Sequence, residues 1–246
     1  MSAFKLSEIE HRYGKNVHIL DDPFQVSHLA QLCSPETYQP MVNQLVDAIY
    51  TGLVKTIVNN EFPRKKMRIP TRMQAYHPEG VFKGEVVDRS QAAVSVNLAR
   101  AGTFPSHICY SALNHILDPK LVRQDHITIN RATDASEKVV GTNLSGFKIG
   151  GTVKDAIVMF PDPMGATGGT IVKALDIYKK EFGAAKKFIA IHLIVTPEYL
   201  KKVLTAHPDI IIYGVRLDRG LSKPDVLSTI PGTHWDQEKG LNDKQY

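Results

Sequence analysis

The sequence predicts an α/β fold with a mostly parallel central sheet flanked by helices on both faces. Two observations predict it. From Ala92 onward, short apolar runs alternate with amphipathic stretches at helical spacing. The apolar runs also carry few alternating polar residues, as strands covered on both faces do. The length, 246 residues, suits one domain spanning 1–246 with a substantial core.

The elements follow in order. Residues 1–22 are polar and irregular and read as an N-terminal arm over the body. Ser34-Pro35-Glu36-Thr37 offers an N-cap serine, a proline at N1 and an early acid, which predicts a helix start there. Met41, Val42, Leu45, Val46, Ile49, Leu53, Val54 and Ile57 continue that helix at core-facing spacing to about Asn59-Asn60. Between Met67 and Val87, Pro70, Pro78-Glu79-Gly80 and Gly84 break the chain into short stretches, the signature of a hairpin-like arm.

Ala92–Leu98 is a predicted buried strand that runs into Arg100-Ala101-Gly102-Thr103, with a helix over 106–116. Ile127-Thr128-Ile129 is a short strand leading to Arg131. Thr133 to Gly146, polar and glycine-bearing, reads as a loop. A strand over 156–160, a loop over 162–170 and a helix over 171–182 come next. Strand 188–195, helix 197–205 and strand 210–215 complete the pattern.

Composition excludes several classes. With 43% hydrophobic and 22% charged residues, the chain is not of disordered type. A net charge of +5 suits anionic ligands. The basic residues are scattered apart from Arg64-Lys65-Lys66, which reads as a solvent-facing or helix-capping triplet, so no nucleic-acid partner is expected. Cys33 and Cys109 give neither a disulfide framework nor metal-type spacing, which suits a reducing cytoplasm. Apolar runs such as Phe188–Val195 fall short of the roughly 20 residues of a membrane span. Met1-Ser2-Ala3-Phe4-Lys5 lacks an apolar signal core. A soluble cytoplasmic protein without a membrane partner is the expectation.

The densest chemical signal runs from Ala156 to Lys173. An apolar strand delivers the chain to Asp162 at its carboxyl end, where open α/β sheets bind ligands. Pro163, Met164, Gly165, Ala166, Thr167, Gly168, Gly169 and Thr170 follow. The glycines let backbone approach a ligand closely, and the threonines add hydroxyl donors. The next helix aims its free N–H groups and positive dipole end into this loop, so a phosphate monoester fits there. A carboxylate beside it is placed to accept bonds from sugar hydroxyls. The lysine of a nucleotide P-loop is missing, and so is a Gly-x-Gly-x-x-Gly fingerprint.

Residues 157–170 resemble the phosphoribosyl pyrophosphate motif of type I phosphoribosyltransferases, and Asp-Pro-Met before Ala-Thr-Gly-Gly resembles the uracil phosphoribosyltransferase branch. Leu98-Ala99-Arg100-Ala101-Gly102 is similar to that branch's pyrophosphate loop, with one extra residue before the arginine. Ile127-Thr128-Ile129-Asn130-Arg131 is similar to its second arginine-bearing strand. Ala206-His207-Pro208-Asp209 and Gly220-Leu221 also resemble it. The likeness runs from about Pro23 to Asp218.

The resemblance implies the type I fold with a β-hairpin arm at about 67–87 and a small hood built from 216–246 and N-terminal segments. It implies a phosphoribosyl transfer from phosphoribosyl pyrophosphate to uracil. Asp162 and Arg100 are then the catalytic candidates. Arg100, Ala101, Gly102, Arg131 and 162–170 are the substrate-binding candidates. Magnesium is held mainly by the substrate, with no protein metal ligand assigned, and the protein is a homodimer or larger homo-oligomer.

The family's base-reading segment, Tyr-Ile-Val-Pro-Gly followed by Gly-Asp, has no counterpart here. Gly240-Leu241-Asn242 and Tyr246 resemble its approach, after an extra stretch over 222–238. The base-binding residues are therefore unassigned, and another base or a non-catalytic donor-binding role stays open. His107, His192, His207 and His234 lack paired metal spacing and read as ordinary core or surface histidines, and Trp235 as a packing residue.

Overall fold

The computed structural model describes residues 4–133 and 139–232, with backbone only for 129–133, 139–145 and 226–227. The strands are β1 (Val17–Ile19), β2 (Arg64–Pro70), β3 (Val81–Val87), β4 (Ala93–Ala99), β5 (Val122–Thr133), β6 (Val139–Lys148), β7 (Ile157–Pro161), β8 (Met164–Gly165), β9 (Lys187–Val195) and β10 (Ile211–Leu217). The α-helices are α1 (Pro23–Leu32), α2 (Met41–Glu61), α3 (Thr103–Ile116), α4 (Gly169–Ile177) and α5 (Pro197–Ala206). The central sheet runs β1-β10-β9-β7-β4-β5-β6, with β8 pairing onto β9. Every neighbour pair is parallel except β5 and β6. The predicted α/β class holds.

Strand alternation divides the interior into two cores. Val158 and Phe160 of β7 join Ile171, Ala174 and Leu175 of α4 and Leu200 and Val203 of α5. Ile157 and Met159 face the other way, onto Ile49, Leu53 and Ile57 of α2 and Cys109 and Leu113 of α3. A strand buried on both sides needs apolar residues at every position, and β7 is buried throughout. No helix among the described residues is long and apolar enough to cross a membrane.

Several local expectations shift. The long helix starts at Met41 instead of Ser34. A helix begun at Pro35 would meet Pro40 in its second turn, where proline has no N–H and its ring clashes with the preceding turn. Ser34 instead closes a turn, its carbonyl accepting from Thr37 N–H at 3.1 Å. The unpredicted α1 is capped by Asp22, whose carboxylate accepts from Phe24 and Gln25 N–H, and Pro23 opens it. Its apolar face is sparse, with only Gln25 and Leu29 buried, and leaves little helical periodicity in the sequence.

Part of the expected arm, β1, is the sheet's edge strand, parallel to β10. Residues expected as a loop include β6, an antiparallel strand on β5. The expected helix 171–182 is α4 followed by one π-helical turn over 178–182. The hairpin is as expected but begins at Arg64, so the basic triplet forms exposed strand. Trp235, His234 and the 240–246 segment lie outside the described residues.

Candidate active site

The sheet order reverses direction between β4 and β7. Chain leaving β4 passes through α3 to β5 on one side, and chain leaving β7 passes through α4 to β9 on the other. Such a switch point opens a crevice at the carboxyl ends of the two strands, where open α/β sheets take their ligands. The two loops singled out from the sequence leave these strands. Arg100, Ala101 and Gly102 follow β4, and Asp162 to Gly168 follow β7.

The β4 loop is tight. Gly102 N–H donates to Leu98 O at 3.0 Å, and Thr103 N–H to Arg100 O at 3.0 Å. A Cβ at Gly102 would lie 2.9 Å from Leu98 N, Leu98 O and Pro161 O, so only glycine lets this loop rest against the end of β7. Beneath it, the Thr103 hydroxyl donates to Asn97 Oδ1 at 3.2 Å, and Asn97 Nδ2 meets His126 Nδ1 at 3.1 Å. Arg100 is exposed, and no hydrogen bond or ion pair with another described residue holds its guanidinium. The Ala99–Arg100 peptide bond is cis.

The β7 loop is clamped from below. Leu193 N–H donates to Pro163 O at 3.0 Å and Thr196 N–H to Gly165 O at 3.0 Å, which makes Met164–Gly165 a short parallel strand on β9. The Thr196 hydroxyl donates to Ala166 O at 2.6 Å and accepts from Tyr199 N–H at 3.2 Å. One buried side chain thus caps α5 and holds the loop. Asp162 is half-buried, and its Oδ1 accepts from Met164 N–H at 3.1 Å. Its charge reaches two buried phenols. Burial first, and then the Asp162 carboxylate, push the Tyr50 and Tyr199 hydroxyl pKa values well up.

Gly168 turns the loop into α4 with φ +76°, a left-handed conformation that favours glycine, and a Cβ there would meet Val203 Cγ2 at 2.8 Å. It supplies no side-chain cap, so the first amides of α4 face the loop with the positive end of the helix dipole. Thr167 is exposed; Gly169 and Thr170 are half-buried. Arg131 lies on β5, the strand next to β4, and its side chain is outside the described residues.

Sequence reading missed the supports beneath these loops. Thr196 was legible as an N-cap, in Thr196-Pro197-Glu198, but not as the clamp on Ala166. His192 was legible only as a polar break in an apolar strand. In the fold its Nδ1 lies 2.7 Å from the Asp162 carbonyl and its Nε2 2.5 Å from the Tyr199 hydroxyl.

Comparisons with known proteins agree with this geometry. The profile of the family described as uracil phosphoribosyltransferase matches residues 19–233. A uracil phosphoribosyltransferase of Geobacillus kaustophilus is 27% identical over 224 residues, covering 88% of this chain and 93% of that protein. One from Dictyoglomus thermophilum is 27% identical, covering 88% and 94%. A match at 44% identity to the Thermosipho melanesiensis enzyme spans 78 residues, 32% of this chain and 36% of that protein.

Among solved structures, the AQ2163 protein of Aquifex aeolicus superposes with a TM-score of 0.66 at 18% identity, covering 82% of this chain and 87% of that one. Adenine phosphoribosyl transferase from Trypanosoma brucei gives 0.52 at 13% identity, covering 87% of each, so the chain shares that protein's fold. The family match, over most of the chain, identifies it as a phosphoribosyltransferase belonging to the uracil phosphoribosyltransferase family.

Proposed function

We propose that the protein transfers the 5-phosphoribosyl group of phosphoribosyl pyrophosphate to uracil, giving UMP and pyrophosphate, as a step of pyrimidine salvage. The observation that carries this reading is the meeting of two loops at one switch point: an arginine that no other described residue engages on the first, and a carboxylate leading to a helix N-terminus without a side-chain cap on the second. Uracil as acceptor draws support from Asp162-Pro163-Met164 and from the names of the relatives that align over most of the chain.

In this reading the Ala166–Thr170 backbone and the first amides of α4 hold the 5-phosphate. Asp162 accepts from the ribose hydroxyls and favours positive charge on the ring. A bond forms between the uracil nitrogen and the anomeric carbon while the bond from that carbon to pyrophosphate oxygen breaks. Pyrophosphate leaves with the electron pair, and the acceptor nitrogen gives up its proton to solvent. Arg100 meets the charge that develops on the leaving group. Its planar fork pairs with phosphate oxygens two at a time, and Arg131 is the second arginine assigned to that task. Ala101 and Gly102 present backbone to the same pyrophosphate.

Among the described residues, no three His, Cys, Asp or Glu side chains cluster to hold a metal. In this reading a magnesium ion is carried on the donor's phosphates, with Asp162 as the neighbouring carboxylate. When bound, such an ion neutralises pyrophosphate charge. A homodimer or larger homo-oligomer and a cytoplasmic location complete the proposal. The hairpin supplies the candidate arm, with Met67, Ile69 and Phe82 exposed on it.

The acceptor is tested by incubating the protein with magnesium, phosphoribosyl pyrophosphate and each free base in turn, and resolving the nucleotides by chromatography. UMP from uracil alone is expected. Turnover with a purine alone overturns the acceptor assignment, and tight donor binding without any nucleotide product points to a sensor instead.

A further inference from the structure

We propose that His192 and Tyr199 are positioning residues that hold Asp162 and the phosphate loop in working geometry from beneath the sheet edge. The proposal rests on the reading of 162–170 as the donor site. His192 sits in β9 and Tyr199 in the first turn of α5, each 2% exposed. Both side chains are buried, which assigns them a positioning role and not a catalytic one.

Elementary chemistry fixes the direction of the chain they form. The Asp162 carbonyl can only accept, so the imidazole nitrogen 2.7 Å away, Nδ1, carries a hydrogen. Burial holds the ring neutral by lowering its pKa to about 4, even though the bond to Asp162 works the other way. A neutral ring with hydrogen on Nδ1 has an accepting Nε2, and the Tyr199 hydroxyl, 2.5 Å away, donates to it. The result is Tyr199 O–H to His192 Nε2, then His192 Nδ1–H to the backbone of Asp162.

Tyr199 also touches the loop directly. A Cβ at Gly165 would lie 3.2 Å from its ring, and one at Gly168 3.4 Å from its carbonyl. Its own N–H is tied to Thr196, the residue that grips Ala166. The start of α5, from its N-cap Thr196, therefore reaches the loop at 165, 166 and 168, and through His192 of β9 at 162. Two polar groups in a core otherwise lined by Ala190, Val195, Leu200 and Val203 cost stability unless each is satisfied, and here each satisfies the other while orienting the loop.

The test uses Tyr199→Phe, which keeps the ring under Gly165, His192→Leu, which removes both links, and His192→Asn, whose amide nitrogen stands where Nδ1 did. Affinity for phosphoribosyl pyrophosphate with magnesium is measured by calorimetry, beside thermal midpoints and steady-state kinetics. Tyr199→Phe and His192→Leu are expected to weaken donor binding and raise donor KM at least fivefold, with acceptor KM within twofold of wild type. His192→Asn should recover most of that loss. Wild-type donor affinity in Tyr199→Phe and in any folded His192→Leu, with only a lower thermal midpoint, overturns the proposal alone. Wild-type protein that fails to bind the donor overturns the donor-site reading and this proposal with it.

Discussion

At the residue scale, polar side chains in this protein are used where strands and loops must be tied together. Glu61, the last residue of α2, accepts from Lys187 Nζ at 2.8 Å and from the Tyr213 hydroxyl at 2.6 Å, so one carboxylate links α2 to β9 and β10. Its burial works against the charged form, but the bonds from Lys187 and Tyr213 and the charges of Lys187 and His18 outweigh it, and its pKa falls. A folded pKa below the unfolded one gives stability that is present above the unfolded value and lost as pH falls through the folded one. Glu61→Gln should therefore lower stability near pH 7 by roughly 1–2 kcal/mol, a figure discounted because Lys187 is partly exposed. That deficit should shrink in urea titrations as pH drops below about 4. An equal deficit at pH 7 and pH 3 would mean that the carboxylate's charge is irrelevant. None of this was legible from sequence. Glu61, Lys187 and Tyr213 are far apart in the chain, and the parallel pairing of β9 and β10 together with the packing of the end of α2 against them brings them together.

At the element scale, the strands and the loops at their carboxyl ends were the most legible features, because buried parallel strands leave near-continuous apolar runs. Strand β7 and its loop could be read almost residue by residue. What stayed hidden has physical causes. The short β1 and β8 take their identity from neighbours, β10 and β9, rather than from their own composition. The start of α2 was misplaced because a good cap at Ser34 is overruled by Pro40 six residues later. Arg100 could be picked out, but the reason for its loop's shape could not, since Gly102 is required by Pro161, on a strand remote in sequence. Gly102→Ala is the element-scale test. The added methyl meets backbone on both strands, so the two loops must separate. Catalytic efficiency should fall at least tenfold, and the thermal midpoint should drop. A Gly102→Ala protein with unchanged kinetics would show that the loops need not touch.

At the scale of the whole molecule, the order β9-β7-β4-β5 makes the site. It sets the arginine loop and the carboxylate loop side by side, while α2 and α3 fill one face of the sheet and α4 and α5 the other. The central claim is that Asp162 and its loop hold the ribose 5-phosphate of a donor that reacts here. The most direct measurement is the initial rate of UMP formation from uracil, phosphoribosyl pyrophosphate and magnesium, with pyrophosphate followed in parallel, for wild type and Asp162→Asn. The account predicts UMP and pyrophosphate in equal amounts from wild type and at least a tenfold slower rate from Asp162→Asn; equal rates from the two proteins would contradict it.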